Sequence, residues 1–218
     1  MNNKNSEVMS KTISLTFWVL ALIYILLMNQ LPVALALVSK AAPILLLLIP
    51  VWKLLAGKLR LGMVIAILFS AGGDILLALD GAVGNFFVPG LASFLIAQVT
   101  YAILFWQHSK FHRQRLWLAA GYVPIAFILA WFILPASGEL LIPVTAYLMA
   151  ISAMVLGAAF CNRPWQWLFV GASTFALSDS LIAINKFIEP LPYAGVAIML
   201  TYYLAQYMIV SGMIKPED

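Results

Sequence analysis

Three ionisable side chains, Lys40, Asp74 and Asp179, interrupt runs of otherwise apolar residues. Each costs a few kcal/mol at the centre of a bilayer, so each is expected to face a bundle interior and to have a partner. Two carboxylates on different helices with a lysine nearby suit acid–base chemistry where water is scarce. One carboxyl group stays protonated as a general acid, while Lys40 holds the other ionised as a base. The same constellation suits a proton-coupled transporter, in which a carboxylate is protonated and released on alternate sides. A structural Lys–Asp ion pair is a third use of these residues. Residue types alone leave the three readings open.

Around these charges lies a second set of polar groups. Phe87, Gly90, Phe94, Gln98 and Tyr101 recur at spacings of three and four, which places them on one helical face, and Tyr202, Tyr203 and Gln206 repeat the theme near the C-terminus. Such stripes also serve plain packing and interhelical hydrogen bonding. His108 and His112 stand at i and i+4, but no Glu accompanies them as in a zinc hydrolase helix, and they fall in a basic loop suited to anionic headgroups. The expectation is therefore no metal and no cofactor, with hydrolysis, if any, independent of zinc. No Gly-x-Ser-x-Gly, phosphate loop or dinucleotide fingerprint occurs.

The elements that must carry these groups follow from composition. Of 218 residues, 64% are hydrophobic and 9% charged, far outside soluble composition, so lipid is the main solvent. At about 20 apolar residues per pass there is room for about eight spanning helices. Apolar runs broken by charge, Gly or Pro place them near 13–29, 31–52, 61–80, 84–106, 116–134, 140–160, 164–185 and 192–213. The expected fold is an all-α polytopic bundle forming a single transmembrane domain over 1–218. The first run could imitate a secretory leader with Ala34-Leu35-Ala36 as its cleavage site. That site lies inside the next apolar segment, so an uncleaved first helix is expected. Cys161 is the single cysteine, which excludes an internal disulfide and cysteine metal frameworks.

The net charge of +4 is a topology signal. Lys4 and Lys11, then Lys53, Lys58 and Arg60, then Lys110, Arg113 and Arg115, then Arg163, then Lys215 all fall on one side, whereas the opposite loops carry Asp80, Glu139 and Glu189 against Lys186. By the positive-inside rule both termini are cytoplasmic, with a bacterial inner membrane as the expected setting. No basic face is available for nucleic acid. Counted along the helices, Lys40, Asp74 and Asp179 reach similar depth in the outer half, with Tyr147 and Tyr203 comparable, and one shared cavity is expected to satisfy all three charges.

The halves 13–106 and 116–213 resemble each other. Gly72 to Leu79 reads like Leu177 to Ile184, Ala97-Gln98 is matched by Ala205-Gln206, and Lys40 falls opposite Tyr147, at offsets of 105, 108 and 107 residues. A parallel repeat of four helices plus four is the implied organisation.

Taken in order, several stretches resemble the YhhN, or lysoplasmalogenase-like, membrane protein family. They are Ser39-Lys40 with Pro43, Ser70-x-x-Gly73-Asp74, Gly90 through Phe94 to Tyr101, Phe175 to Ala183 followed by Lys186-Phe187, and Tyr202 to Gln206. One departure is Gln98, where many members carry His. The resemblance implies hydrolysis of the vinyl-ether bond of a lysoplasmalogen to a fatty aldehyde and a glycerophospho-base. Asp74 and Asp179 would be the catalytic acid and base, and Lys40 or Lys186 would hold the lipid phosphate. Gln98, Tyr101, Tyr147, Ser178, Tyr203 and Gln206 complete the expected substrate-binding set. The expected partners are a lysophospholipid or other amphiphile and membrane lipid. A transporter of a small or amphiphilic solute, or an assembly factor, are the competing classes.

Overall fold

The computed structural model describes residues 9–216, so the Lys4 charge lies outside the described residues. The elements are helices α1 (Lys11–Leu27), α2 (Val33–Leu46), α3 (Leu48–Leu54), α4 (Gly57–Val83), α5 (Phe87–Gln107), α6 (Leu116–Ala136), α7 (Leu141–Phe160), α8 (Trp165–Phe187) and α9 (Ala194–Ile214). Single 3-10 turns precede α6 and α7. Among the described residues the one extended pairing is an isolated bridge between Ser109 and Cys161. The expected all-α polytopic bundle is therefore what the chain forms. Among the described residues, seven segments are long and apolar enough to cross a membrane, α2 and α3 together making one of them, Val33–Leu54. The eighth apolar run, α1, is shorter.

The breaks have local causes. Ser10 caps α1 by accepting from the Ile13 N–H at 3.2 Å. Between α2 and α3 the chain turns at Leu47 because Pro50 has no N–H to return to Leu46, just as Pro43 has none for Ser39. Gly84 ends α4 at φ +77°, a conformation that favours glycine, with its N–H on the Asp80 carbonyl at 3.0 Å.

Spatial contacts divide the described residues into two units, one running to Tyr101 with Met213–Pro216 added, the other Ala102–Gly212. In the first, α1 packs on α2, and α2 and α3 pack on α4. Helix α5 approaches α4 where Gly73 meets the Phe94 ring, so close that any Cβ at Gly73 would collide with it. In the second, α6 packs on α7 and α8, and α7 packs on α8. There α9 approaches α8 where a Cβ on Gly171 would meet Ile209 at 3.0 Å. Small residues at such crossings are how helices gain contact where lipid gives no hydrophobic drive. Large apolar side chains such as Phe127, Trp131 and Ile142 remain exposed, as lipid-facing residues are.

Candidate functional site

In the first unit α4 carries Asp74, which is 2% exposed. Lys40 projects from α2, its Nζ 3.9 Å from Asp74 Oδ1. At that separation and an effective dielectric of about 20, the attraction is about 4 kcal/mol. This is the order of what each charge costs to insert, so pairing is what makes both tolerable. Tyr24 of α1 lies close enough to feel the Asp74 charge. One turn earlier on α4, the buried Ser70 hydroxyl is hydrogen-bonded with Tyr101 of α5, and Ser93 donates to the Phe69 carbonyl at 2.6 Å. Gln98 and Tyr101 are fully buried on the α5 face that Gly90 and Phe94 share, while Val88, Ile96 and Val99 point outward. From Gly90 to Tyr101 the predicted stripe is thus one buried face, with Phe87 half-buried at its start.

A cavity of about 260 Å³ lies one helical turn from this pair, lined by Val33, Ala36 and Leu37 and by Ala78, Gly81 and Ala82. Ala36 precedes Lys40 by four residues and Ala78 follows Asp74 by four, so the cavity and the charges lie along the same helix faces.

In the second unit α8 carries Asp179. The Tyr147 hydroxyl, from the adjacent α7, donates to Asp179 Oδ2 at 2.7 Å. Tyr122 of α6 lies near enough to feel that carboxyl group, and its own hydroxyl is 3.2 Å from Ser152 Oγ. Ser178 is buried and donates to the Ile198 carbonyl at 3.0 Å, which commits the hydroxyl to tying α8 to α9. Tyr202 packs edge-on against Phe175 with centroids 5.5 Å apart, and Tyr203 and Gln206 beside it are fully buried. Lys186 is exposed in the last turn of α8, two turns beyond Asp179 on the same face.

Several contributors escaped the sequence reading. Tyr24 and Tyr122 gave no signal, because a phenol in an apolar run carries no spacing that marks its neighbours. Asp80 and Asn185 did carry one. Asp80 Oδ1 accepts from the Phe86 and Phe87 N–H groups at 3.0 Å, fixing the start of α5, and Asn185 Oδ1 accepts from the Leu191 N–H at 2.9 Å ahead of α9. Each stands six residues after its intramembrane Asp and binds an N–H six residues further on. Among the described residues, no three His, Cys, Asp or Glu side chains gather where they could hold a metal ion. His108 instead directs Nδ1 at the Leu104 carbonyl, 2.8 Å away.

The YhhN family model matches residues 35–213. A lysoplasmalogenase of Mycobacterium bovis is 38% identical over 162 residues, covering 72% of this chain and 61% of that protein. The human lysoplasmalogenase TMEM86A is 32% identical over 165 residues, covering 71% of this chain and 65% of its own, and the pig lysoplasmalogenase TMEM86B is 33% identical over 144 residues, covering 66% and 59%. The matches therefore span about three fifths of these relatives' length. No solved structure matches the chain.

Proposed function

Since this chain belongs to the YhhN family of multi-pass membrane proteins, we propose that it hydrolyses the vinyl-ether bond of a lysoplasmalogen, with Asp74 and Asp179 as acid and base. The observation that carries the reading is that each Asp, set in a membrane-spanning helix, is met by a donor side chain from the helix packed against it. The names of the relatives supply the substrate class. We read the chain as two parallel four-helix halves, which the matching places of Lys40 and Tyr147 and of Asp80 and Asn185 support.

The chemistry needs little more than these groups. A carboxylic acid gives its proton to the β-carbon of the vinyl ether, the π pair forming the new C–H bond and leaving an oxocarbenium ion. The carboxylates stabilise that cation. Water attacks the oxocarbenium carbon as the second carboxylate takes its proton, giving a hemiacetal. Collapse expels the glycerol oxygen, which takes the proton held by the second carboxyl group. The hemiacetal hydroxyl returns its proton to the first, and both groups end as they began. The products are a fatty aldehyde and a glycerophospho-base. Lys40 and Lys186 are the candidate contacts for the lipid phosphate. Gln98, Tyr101, Tyr203 and Gln206 shape the polar surroundings of the substrate.

Purified protein in detergent, given a lysoplasmalogen, is expected to release free aldehyde. Absence of aldehyde, together with proton-driven uptake of an amphiphile in proteoliposomes, would replace the hydrolase by a transporter.

A further inference from the structure

At one end of the second unit two loops are joined by their main chains. The Asn162 N–H donates to the His108 carbonyl at 2.7 Å, the Lys110 N–H donates to the Phe160 carbonyl at 3.0 Å, and Ser109 and Cys161 form an isolated bridge between these bonds. Arg115 adds a side chain to the same clasp. Its guanidinium donates to the Cys161 carbonyl at 2.8 Å and lies 5.3 Å from the centre of the Trp165 ring. The loop before α6 and the loop before α8 therefore present one surface. It is basic and apolar at once. It carries Lys110, Arg113, Arg115 and Arg163, and neither 81–138 nor 140–178 contains an Asp or a Glu. Lys110 and Arg113 are exposed. Phe111, between them, is 75% exposed although its ring stacks on Phe160 with centroids 6.1 Å apart, and Trp117 is 65% exposed.

We propose that this clasp, residues 108–117 with 160–165, binds the headgroup of an anionic phospholipid in the adjacent leaflet. A soluble anion would answer the positive charge and leave Phe111 and Trp117 in water. An anionic lipid answers both, because its phosphate meets the cations while the rings enter the boundary between headgroups and chains. Lys110, Arg113 and Arg115 come from one loop and Arg163 from the other, so a headgroup reached from both sides reinforces the main-chain bonds. Asp179 follows Trp165 by fourteen residues along α8, about 21 Å at the rise of an α-helix. The lipid held here is thus distinct from one whose bond is cleaved at that carboxyl group.

Amide hydrogen exchange of the full chain in neutral detergent tests the site directly. Adding phosphatidylglycerol is expected to slow exchange at residues 108–110 and 160–162, and adding phosphatidylcholine is not. The protection should weaken as salt is raised, as a contact between charges near the surface does. Each Lys or Arg near an anionic surface is worth about fivefold in binding. Lys110→Gln combined with Arg113→Gln, both at exposed positions, should therefore raise the mole fraction of phosphatidylglycerol needed for half protection by about tenfold or more. Lys53→Gln combined with Lys58→Gln removes the same charge from exposed positions of the first unit and should leave that mole fraction unchanged. Equal protection by the two lipids in the unaltered protein overturns the proposal. An equal rise in both double variants does so too, because it would mark a diffuse surface charge. Protection of the same amides by inorganic phosphate alone would make the occupant a soluble anion, and would also overturn it.

Discussion

At Asp74 the protein sets a carboxyl group against an ammonium, and at Asp179 against a phenol, each inside a helix where water is scarce. Replacing either Asp by Asn keeps the shape and removes proton exchange. Turnover is expected to fall by at least ~100-fold in each variant while each stays folded, read as unchanged helical content. An Asn variant turning over at a near-normal rate would refute the two-carboxylate mechanism. Lys40→Met differs in kind, because it leaves Asp74 buried without its ammonium. Reduced thermal stability is expected beside any loss of activity, since removing one member of a buried pair leaves an uncompensated charge. Chelators should leave aldehyde release unchanged, an expectation that rests on the carboxylates and their donors supplying the proton transfers themselves. Activity lost to a chelator and restored by zinc would contradict it.

Among the elements, two kinds of feature hold the carboxyl-bearing helices in place. One is the pair of amide-accepting side chains, Asp80 and Asn185, that close the turns after α4 and α8. Asp80→Ala or Asn185→Ala should each cost about 1 kcal/mol, as removal of a helix cap does, read as a lowered unfolding midpoint and faster amide exchange in residues 84–87 or 188–193. The other is close approach. Gly73→Leu would drive a side chain into the Phe94 ring beside Asp74, with no room for the crossing to be kept. The expected outcome is poor expression or a large loss of stability in detergent, whereas Gly121→Leu, at a glycine with open space around it, should be tolerated.

Across the whole chain, the charge bias of the loops predicts that both termini face the cytoplasm. Reporter fusions at the two ends should both report the inner side, and a split result would mean an odd number of passes and make α1 (Lys11–Leu27) the segment to doubt. Much of the architecture was legible beforehand because the bilayer reduces helix prediction to apolar length. The expected segment 61–80 became α4 (Gly57–Val83), longer at both ends because the backbone turn at Gly84, rather than the last apolar residue, stops the helix, and 164–185 became α8 (Trp165–Phe187), two residues longer at its C-terminal end. The α5 stripe was legible for a similar reason, since a 3.6-residue period assigns a face with no knowledge of what lies opposite. Sequence alone also determined that Lys40, Asp74 and Asp179 need partners, because a charge in an apolar run is costly wherever the helix packs. Only the tertiary structure decided who those partners are. It set Lys40 on Asp74, Tyr147 on Asp179 and Ser178 on the Ile198 carbonyl. Partner choice depends on which helices touch and at what rotation, and neither the composition nor the period of a single helix contains that information.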